Sequence, residues 1–252
     1  MTLPKTPSFR LDGKRAFVAG GSRGIGLGCA VALAEAGAHV VIAARGAAQV
    51  QTAVNEIAQE GFSAEAVVLD VTDLDAVRET FGTVGQIDIL VNSAGLARHS
   101  PALDTTPEDF DAVTAINIKA AYFLAQTAAK QMVGRGGSII QISSQMGHVG
   151  GIERAVYCGT KHAVEGITKA MAIEWGPENI RVNTICPTFI LTELTKPTFD
   201  DPEKRAWIDS KIKLPRVGQV EDIMGACVFL ASDASGLVTG TSILVDGGWT
   251  AG

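Results

Sequence analysis

Short apolar runs separated by longer segments of helical period constrain this chain more than any other feature. The runs fall at 16–19, 40–43, 66–69, 87–91, 138–142, 181–185 and 242–245 and are rich in Val, Ile, Leu and Ala. Strands that read as nearly continuous apolar runs are buried on both faces. Helical patterns occupy 24–36, 47–60, 74–84, 107–132, 155–175 and 220–230. Repeated β-then-α units of about thirty residues predict an α/β fold: a doubly wound, seven-stranded parallel sheet with helices on both faces. No internal repeat, low-complexity tract or linker divides 1–252, so a single domain is expected. Residues 188–216 break the rhythm. They hold no strand, carry Pro197, Pro202 and Pro215, and mix basic with acidic residues in near balance. A long irregular insertion in a compact domain reads as a lid over a substrate.

Composition excludes several functions. Apolar residues make up 46% of the 252 and charged residues 19%, too apolar a balance for a disordered chain. The net charge of −6 leaves no large basic footprint, so neither nucleic acid nor an anionic membrane surface is an expected partner. The most membrane-like stretch, 27–44, is interrupted by Glu35, Gly37 and His39 and reads as a buried helix followed by a strand. Residues 1–14 contain no apolar core of a secretory signal, and a cytoplasmic location is expected. Cys29, Cys158, Cys186 and Cys227 are far apart and form no CxxC, so they read as small reduced core residues, with no metal expected.

The first strand runs into Gly20-Gly21-Ser22-Arg23-Gly24-Ile25-Gly26 and then a helix. Strand, glycine turn and helix is what a phosphate-binding loop needs. Gly20 permits the tight turn, Gly24 and Gly26 permit close backbone approach, and the helix start offers free N–H groups to a pyrophosphate. A site for NAD usually places Asp or Glu at the end of the second strand. Here that place reads Ile42-Ala43-Ala44-Arg45-Gly46. Arg45, with Arg23 nearby, can pair with a 2′-phosphate, so NADP(H) is expected over NAD(H). Asp70, ahead of Val71 at the end of the third strand, is placed to accept from an adenine amine.

Tyr157 and Lys161 lie four apart in a helical stretch, one turn apart on one face. An ammonium beside a phenol favours the phenolate and makes a tyrosine usable as an acid or base near neutrality. Ser144 follows the fifth strand, Asn117 lies in the long fourth helical interval, and Asn92 follows the fourth strand ahead of Ala94 and Gly95. The carboxyl ends of strands are where doubly wound folds bind ligands.

Together these motifs resemble the short-chain dehydrogenase/reductase family, of the short single-domain, Rossmann-like type. The resemblance runs from about Leu11 to Gly248 and includes the Val238-Thr239-Gly240 and Asp246-Gly247-Gly248 ending. It implies that Tyr157 exchanges a proton with the substrate oxygen and that Ser144 hydrogen-bonds that oxygen. Lys161 would hold the nicotinamide ribose and lower the tyrosine pKa, and Asn117 would hold a water behind Lys161. Asn92 would steady the sheet near the cofactor, Pro187 and Thr188 would pass the nicotinamide, and Thr192 would touch its carboxamide. A homotetramer is also implied. Three departures stand out. Ala19 replaces a usual Thr that ties down the glycine loop, Ser93 a usual Asn, and Thr188 a usual Gly.

Residues expected around the substrate are Gln145, Met146, His148, Ile152, Glu153, Arg154, Phe189 and Leu194. Glu153 with Arg154 also reads as a surface pair, His148 as loop packing and Cys158 as an inert small side chain. The expected activity interconverts a ketone and a secondary alcohol on a small hydroxylated carbonyl, polyol or sugar derivative. Reduction of a 3-oxoacyl group on a carrier protein is the alternative enzymatic reading. A nucleotide-binding regulator without turnover is the alternative from another class.

Overall fold

The computed structural model describes residues 2–252 and contains one seven-stranded, all-parallel sheet in the order β3-β2-β1-β4-β5-β6-β7. The strands are β1 (Arg15–Ala19), β2 (His39–Ala44), β3 (Ala64–Val68), β4 (Ile89–Asn92), β5 (Gly137–Ile142), β6 (Ile180–Pro187) and β7 (Ser242–Val245). β1 pairs with β2 on one side, with Val18 opposite Ile42, and with β4 on the other, with Val18 opposite Val91. Alternation along the strands sends side chains to two cores. Ala16, Val18, Val40 and Ile42 pack on one face with Leu33 of α1 (Gly24–Glu35), Ile57 of α2 (Ala47–Gln59) and Leu230 of α9 (Glu221–Ala231). Phe17, Val41, Leu90 and Ile139 pack on the other face. Their partners there are Phe81 of α3 (Leu74–Thr83), Leu124 of α5 (Ala121–Met132) and Met171 of α6 (Ala155–Trp175). Double burial is why the strands read as unbroken apolar runs.

Two expectations about helices change. The interval 107–132 is not one regular helix: α4 (Pro107–Thr114) passes into a π-helical stretch, Ala115–Ala120, before α5. Within that stretch Asn117 clamps a neighbouring loop, its Oδ1 accepting from Leu96 N at 2.8 Å and its Nδ2 donating to Leu96 O at 2.9 Å. π-helical turns of this kind collect at functional sites. About half of the segment 188–216 is helical, in α7 (Lys196–Phe199) and α8 (Pro202–Lys211), and the rest is irregular. Pro197 and Pro202 start helices instead of breaking them, each in a first turn where the missing N–H costs nothing; Pro215 lies outside any helix. Asp201 caps α8, its Oδ1 accepting from Glu203 N and Lys204 N. Among the described residues no helix is long and apolar enough to cross a membrane.

The segment leading into β7 is held by a buried side chain. Asn183 is fully buried; its Oδ1 accepts from Thr241 N at 3.1 Å and its Nδ2 donates to Val238 O at 2.8 Å. Asn183→Leu strands one N–H and one C=O, each costing roughly 1–3 kcal/mol. The expected result is a loss of about 2–4 kcal/mol, read as a lowered thermal midpoint. An unchanged midpoint would mean that water replaces the amide.

Candidate active site

A cleft of about 650 Å³ opens at the carboxyl ends of β1 to β6, centred on the reversal of strand order between β1 and β4. Such switch points leave a crevice because successive connections leave on opposite faces of the sheet. The glycine loop forms part of its wall through Gly20, Ser22, Arg23, Gly24, Ile25 and Gly26. Gly20 has φ +72°, and a Cβ on it would stand 2.8 Å from Ala94 N; a Cβ on Gly26 would stand 2.1 Å from Gly20 O. The loop therefore folds back on the first turn of α1 at a distance no side chain tolerates. Around Ala19 the loop is tied by backbone. Gly20 N and Gly21 N both donate to Ala43 O, and Ser93 N donates to Ala19 O at 2.9 Å.

Further along the wall stand Arg45, Asp70 and Val71, then Ala94 and Gly95. Arg23, Arg45 and Asp70 are exposed. Bonds from the Thr72 backbone and hydroxyl hold the Asp70 carboxyl below its usual range. Ser144, Tyr157, Lys161, Pro187, Thr188 and Thr192 complete the set. Asn92 and Asn117 stand behind the wall instead of in it. Asn92 Nδ2 donates to Gln141 Oε1 across the sheet at 2.8 Å, and Asn117 Nδ2 also reaches Thr160 Oγ1 at 3.1 Å. Gln49, Ile116 and Val220 line the cleft as well. No motif marks them, and only folding brings them there.

Thr188 sits in ordinary backbone geometry and extends the sheet, its N donating to Val245 O at 3.2 Å. The β-branched residue in place of Gly therefore does not distort the loop. Its Oγ1 is buried without a hydrogen-bond partner among the described residues, in a residue that lines the cleft.

The polar groups at the Tyr157 end are nearly dry. Lys161 Nζ donates to Ile142 O at 2.9 Å and lies 5.6 Å from the Tyr157 ring centroid. Burial drags the Lys161 ammonium down to about 8, opposed by Cys186 and Glu165. Burial also pushes the Tyr157 phenol up, and the Ser144 hydroxyl only partly offsets this. In the protein alone desolvation is the largest influence on the phenol, with Ser144 and Arg154 opposing it. Ser144 Oγ donates to Gln145 Oε1 at 2.8 Å and accepts from Met146 N at 3.1 Å.

Of the residues expected around a substrate, Leu194 lines the cleft. Met146 and Phe189 join an apolar cluster with Tyr157, Cys158, Phe199, Trp207 and Trp249. Ile152 is exposed, and Glu153 occupies left-handed backbone at φ +59°. Glu153 and Arg154 form no ion pair among the described residues. Instead the Arg154 guanidinium lies 5.6 Å over the Phe189 ring, half-buried, one helical turn before Tyr157. Burial pushes the Cys158 thiol up, as suits an unreactive side chain.

A family model described as Enoyl-(Acyl carrier protein) reductase matches residues 19–250. The chain belongs to the short-chain dehydrogenase/reductase family. It is 40% identical over 247 residues to a gluconate 5-dehydrogenase of Gluconobacter oxydans (strain 621H), covering 96% of both chains. It is 38% identical over 245 residues to an L-xylulose reductase of Bos taurus, covering 96% of this chain and 99% of that one. Among solved structures it resembles a gluconate 5-dehydrogenase from Burkholderia cenocepacia J2315 in complex with NADP and tartrate. That match has a TM-score of 0.93 and 39% identity, and covers 97% of this chain and 98% of that chain. This short-chain dehydrogenase/reductase is accordingly an NAD(P)-dependent oxidoreductase.

The buried ammonium has a consequence for stability. The folded pKa of Lys161, about 8, lies below its ordinary 10.5. Between those values the unfolded chain binds more protons, so stability rises with pH there; below about pH 8 the folded state carries the full penalty, on the order of 3 kcal/mol. Lys161→Met is expected to raise the thermal midpoint at pH 7. That advantage should shrink as pH climbs from about 8 to 10.5. A difference that ignores pH would remove the buried charge as its cause.

Proposed function

We propose that this enzyme interconverts a ketone and a secondary alcohol on a small hydroxylated carbonyl, polyol or sugar derivative, with NADP(H) preferred over NAD(H). The observation that carries the reading is the convergence of Ser144, Tyr157 and Lys161 on the same cleft that the glycine loop lines. The residues suit a dinucleotide. The loop approaches the start of α1 with no room for a Cβ, and the unpartnered Thr188 Oγ1 offers a hydrogen bond. The exposed guanidinium of Arg45 lies where a carboxylate would select NAD, and Arg23 stands in the adjacent loop. When bound, the nicotinamide supplies or accepts the hydride.

The chain's own groups handle the proton and the geometry. The buried Tyr157 phenol keeps its proton through neutrality and gives it to the carbonyl oxygen during reduction; the reverse transfer serves oxidation. Ser144 holds that oxygen by hydrogen bonding. Lys161 binds the ribose and supplies the positive charge that the phenolate needs once formed. Asn92 and Asn117 act as positioning residues, fixing the loops at 94–96 from behind. Residues 188–216 cover the substrate side, with Leu194 in the wall. The gluconate and xylulose relatives support a small hydroxylated substrate over a thioester on a carrier protein.

Fluorescence titration with NADPH and NADH, followed by assay on sugar acids and ketoses, tests this reading. The wild type should bind NADPH more tightly, and Arg45→Asp should reverse the order. Tyr157→Phe should lose at least a thousandfold in turnover, on the order of general acid–base loss plus misplacement, while still binding cofactor. Near-normal turnover in that variant would end the assignment of Tyr157.

We also propose a homotetramer, supported by exposed apolar side chains on α5 (Tyr122), α6 (Ile173) and β7 (Leu244). Light scattering should give four times the 26.2 kDa chain mass. A stable monomer would contradict it.

A further inference from the structure

Behind the Tyr157 end of the cleft lies a polar cluster that the reaction does not use. Glu165 follows Lys161 by one turn of α6 and is 5% exposed. Its Oε2 accepts from Thr184 Oγ1 at 3.0 Å and from Ser242 Oγ. Its Oε1 accepts from the Cys186 thiol at 3.3 Å. His148 Nε2 lies 3.5 Å from Cys186 Sγ and 3.9 Å from Glu165 Oε2. His148, Glu165 and Cys186 are absent from the cleft wall, although their neighbours Pro187 and Ser143 belong to it.

We propose that His148, Glu165 and Cys186 form a binding site for a divalent ion of the zinc class, built on the convergence of one imidazole nitrogen, one carboxylate and one thiolate sulfur. Zinc bonds of about 2.3 Å to sulfur and about 2.0–2.2 Å to nitrogen and oxygen give tetrahedral ligand–ligand edges of roughly 3.3–3.6 Å. The two edges at Cys186 Sγ, 3.3 Å to Glu165 Oε1 and 3.5 Å to His148 Nε2, fall in that range; His148 Nε2 comes no nearer the carboxylate than 3.9 Å, at Oε2, so the ring must swing toward Oε1 to close the site. Sulfur, imidazole and a single carboxylate together select zinc, cobalt or nickel over magnesium or calcium.

Two further observations point the same way. Ser143 Oγ is buried beside the Cys186 thiol and puts a further oxygen at the edge of the cluster. A Cβ on Gly147 would stand 3.1 Å from Glu165 Cγ and 3.2 Å from Ser143 Oγ, so glycine there keeps that space free of a side chain. The carboxylate is also oriented from outside the set: Thr184 and Ser242 hold Oε2, as outer-shell partners of metal ligands do. His148, with 29% of its side chain exposed, gives the ion a way in. The step is an exchange without redox change. The Cys186 S–H bond breaks, the sulfur–metal bond forms, and the proton leaves to solvent. Three protein ligands leave a fourth position for water or for the Ser143 hydroxyl.

The test is titration of chelator-treated full-length protein with Co²⁺, followed by absorption. Wild type should bind one ion per chain and show an intense near-ultraviolet thiolate-to-cobalt band, which Zn²⁺ displaces. Cys186→Ser should lose the band. His148→Gln, at a solvent-accessible position, should fold normally and bind at least tenfold more weakly. A wild type that binds no Co²⁺ at millimolar concentration overturns the proposal. So does a band that survives in Cys186→Ser, or an affinity unchanged in His148→Gln.

Discussion

Parallel pairing of β1 with β2 on one side and β4 on the other is the constraint on which the rest depends. All strands present their carboxyl ends on one side, and the connections on the two sides of β1 leave on opposite faces. A crevice must open between them. The glycine loop then decides what the crevice can hold. Because Gly26 carries no Cβ, α1 begins directly against the turn at Gly20, and its free N–H groups face the opening. One contact between two pieces of backbone thus ties the sheet's topology to the chemistry of its cleft.

The strands were legible because burial on both faces leaves only apolar runs, while their order in the sheet is set by which face each connection crosses and was not read from the sequence. The π-helical stretch was not legible. It carries the clamp between Asn117 and Leu96, twenty-one residues apart, which no local pattern encodes. The helices in 188–216 were hidden by prolines read as breaks, when Pro197 and Pro202 occupy first-turn positions. For the candidate site, residues at strand ends were readable as motifs. Gln49 of α2, Ile116 of the π-helical stretch and Val220 just before α9 reach the same cleft and carry no signal of their own. The cluster of His148, Glu165 and Cys186 was invisible for the same reason: spacings of 17 and 21 residues have no metal-site pattern, and contact between α6 and β6 creates it.

The cleft has a wet end and a dry end. Arg23, Arg45 and Asp70 are exposed and charged, and the Asp70 carboxyl is held low by its bonds to Thr72. At the other end, burial drives both Tyr157 and Lys161 toward their neutral forms. The protein holds this reactive pair at a cost in stability, as sites that need shifted pKa values do. The apolar cluster of Met146, Cys158, Phe189, Phe199, Trp207 and Trp249 causes much of that dryness, and part of it comes from the segment at 188–216.

That cluster also gives the molecule its own optical gauge. Two of its three tryptophans, Trp207 on α8 and Trp249 near the carboxyl end, stand 5.1 Å apart, ring edge to ring face. Trp249 stacks on Phe189 at 5.7 Å. Any displacement of α8 separates indoles that are now in contact and admits water to both, shifting their emission to the red. Trp175, at the far end of α6, stands outside this cluster and provides a steady background. The ultraviolet fluorescence of the unlabelled protein therefore follows the position of one short helix.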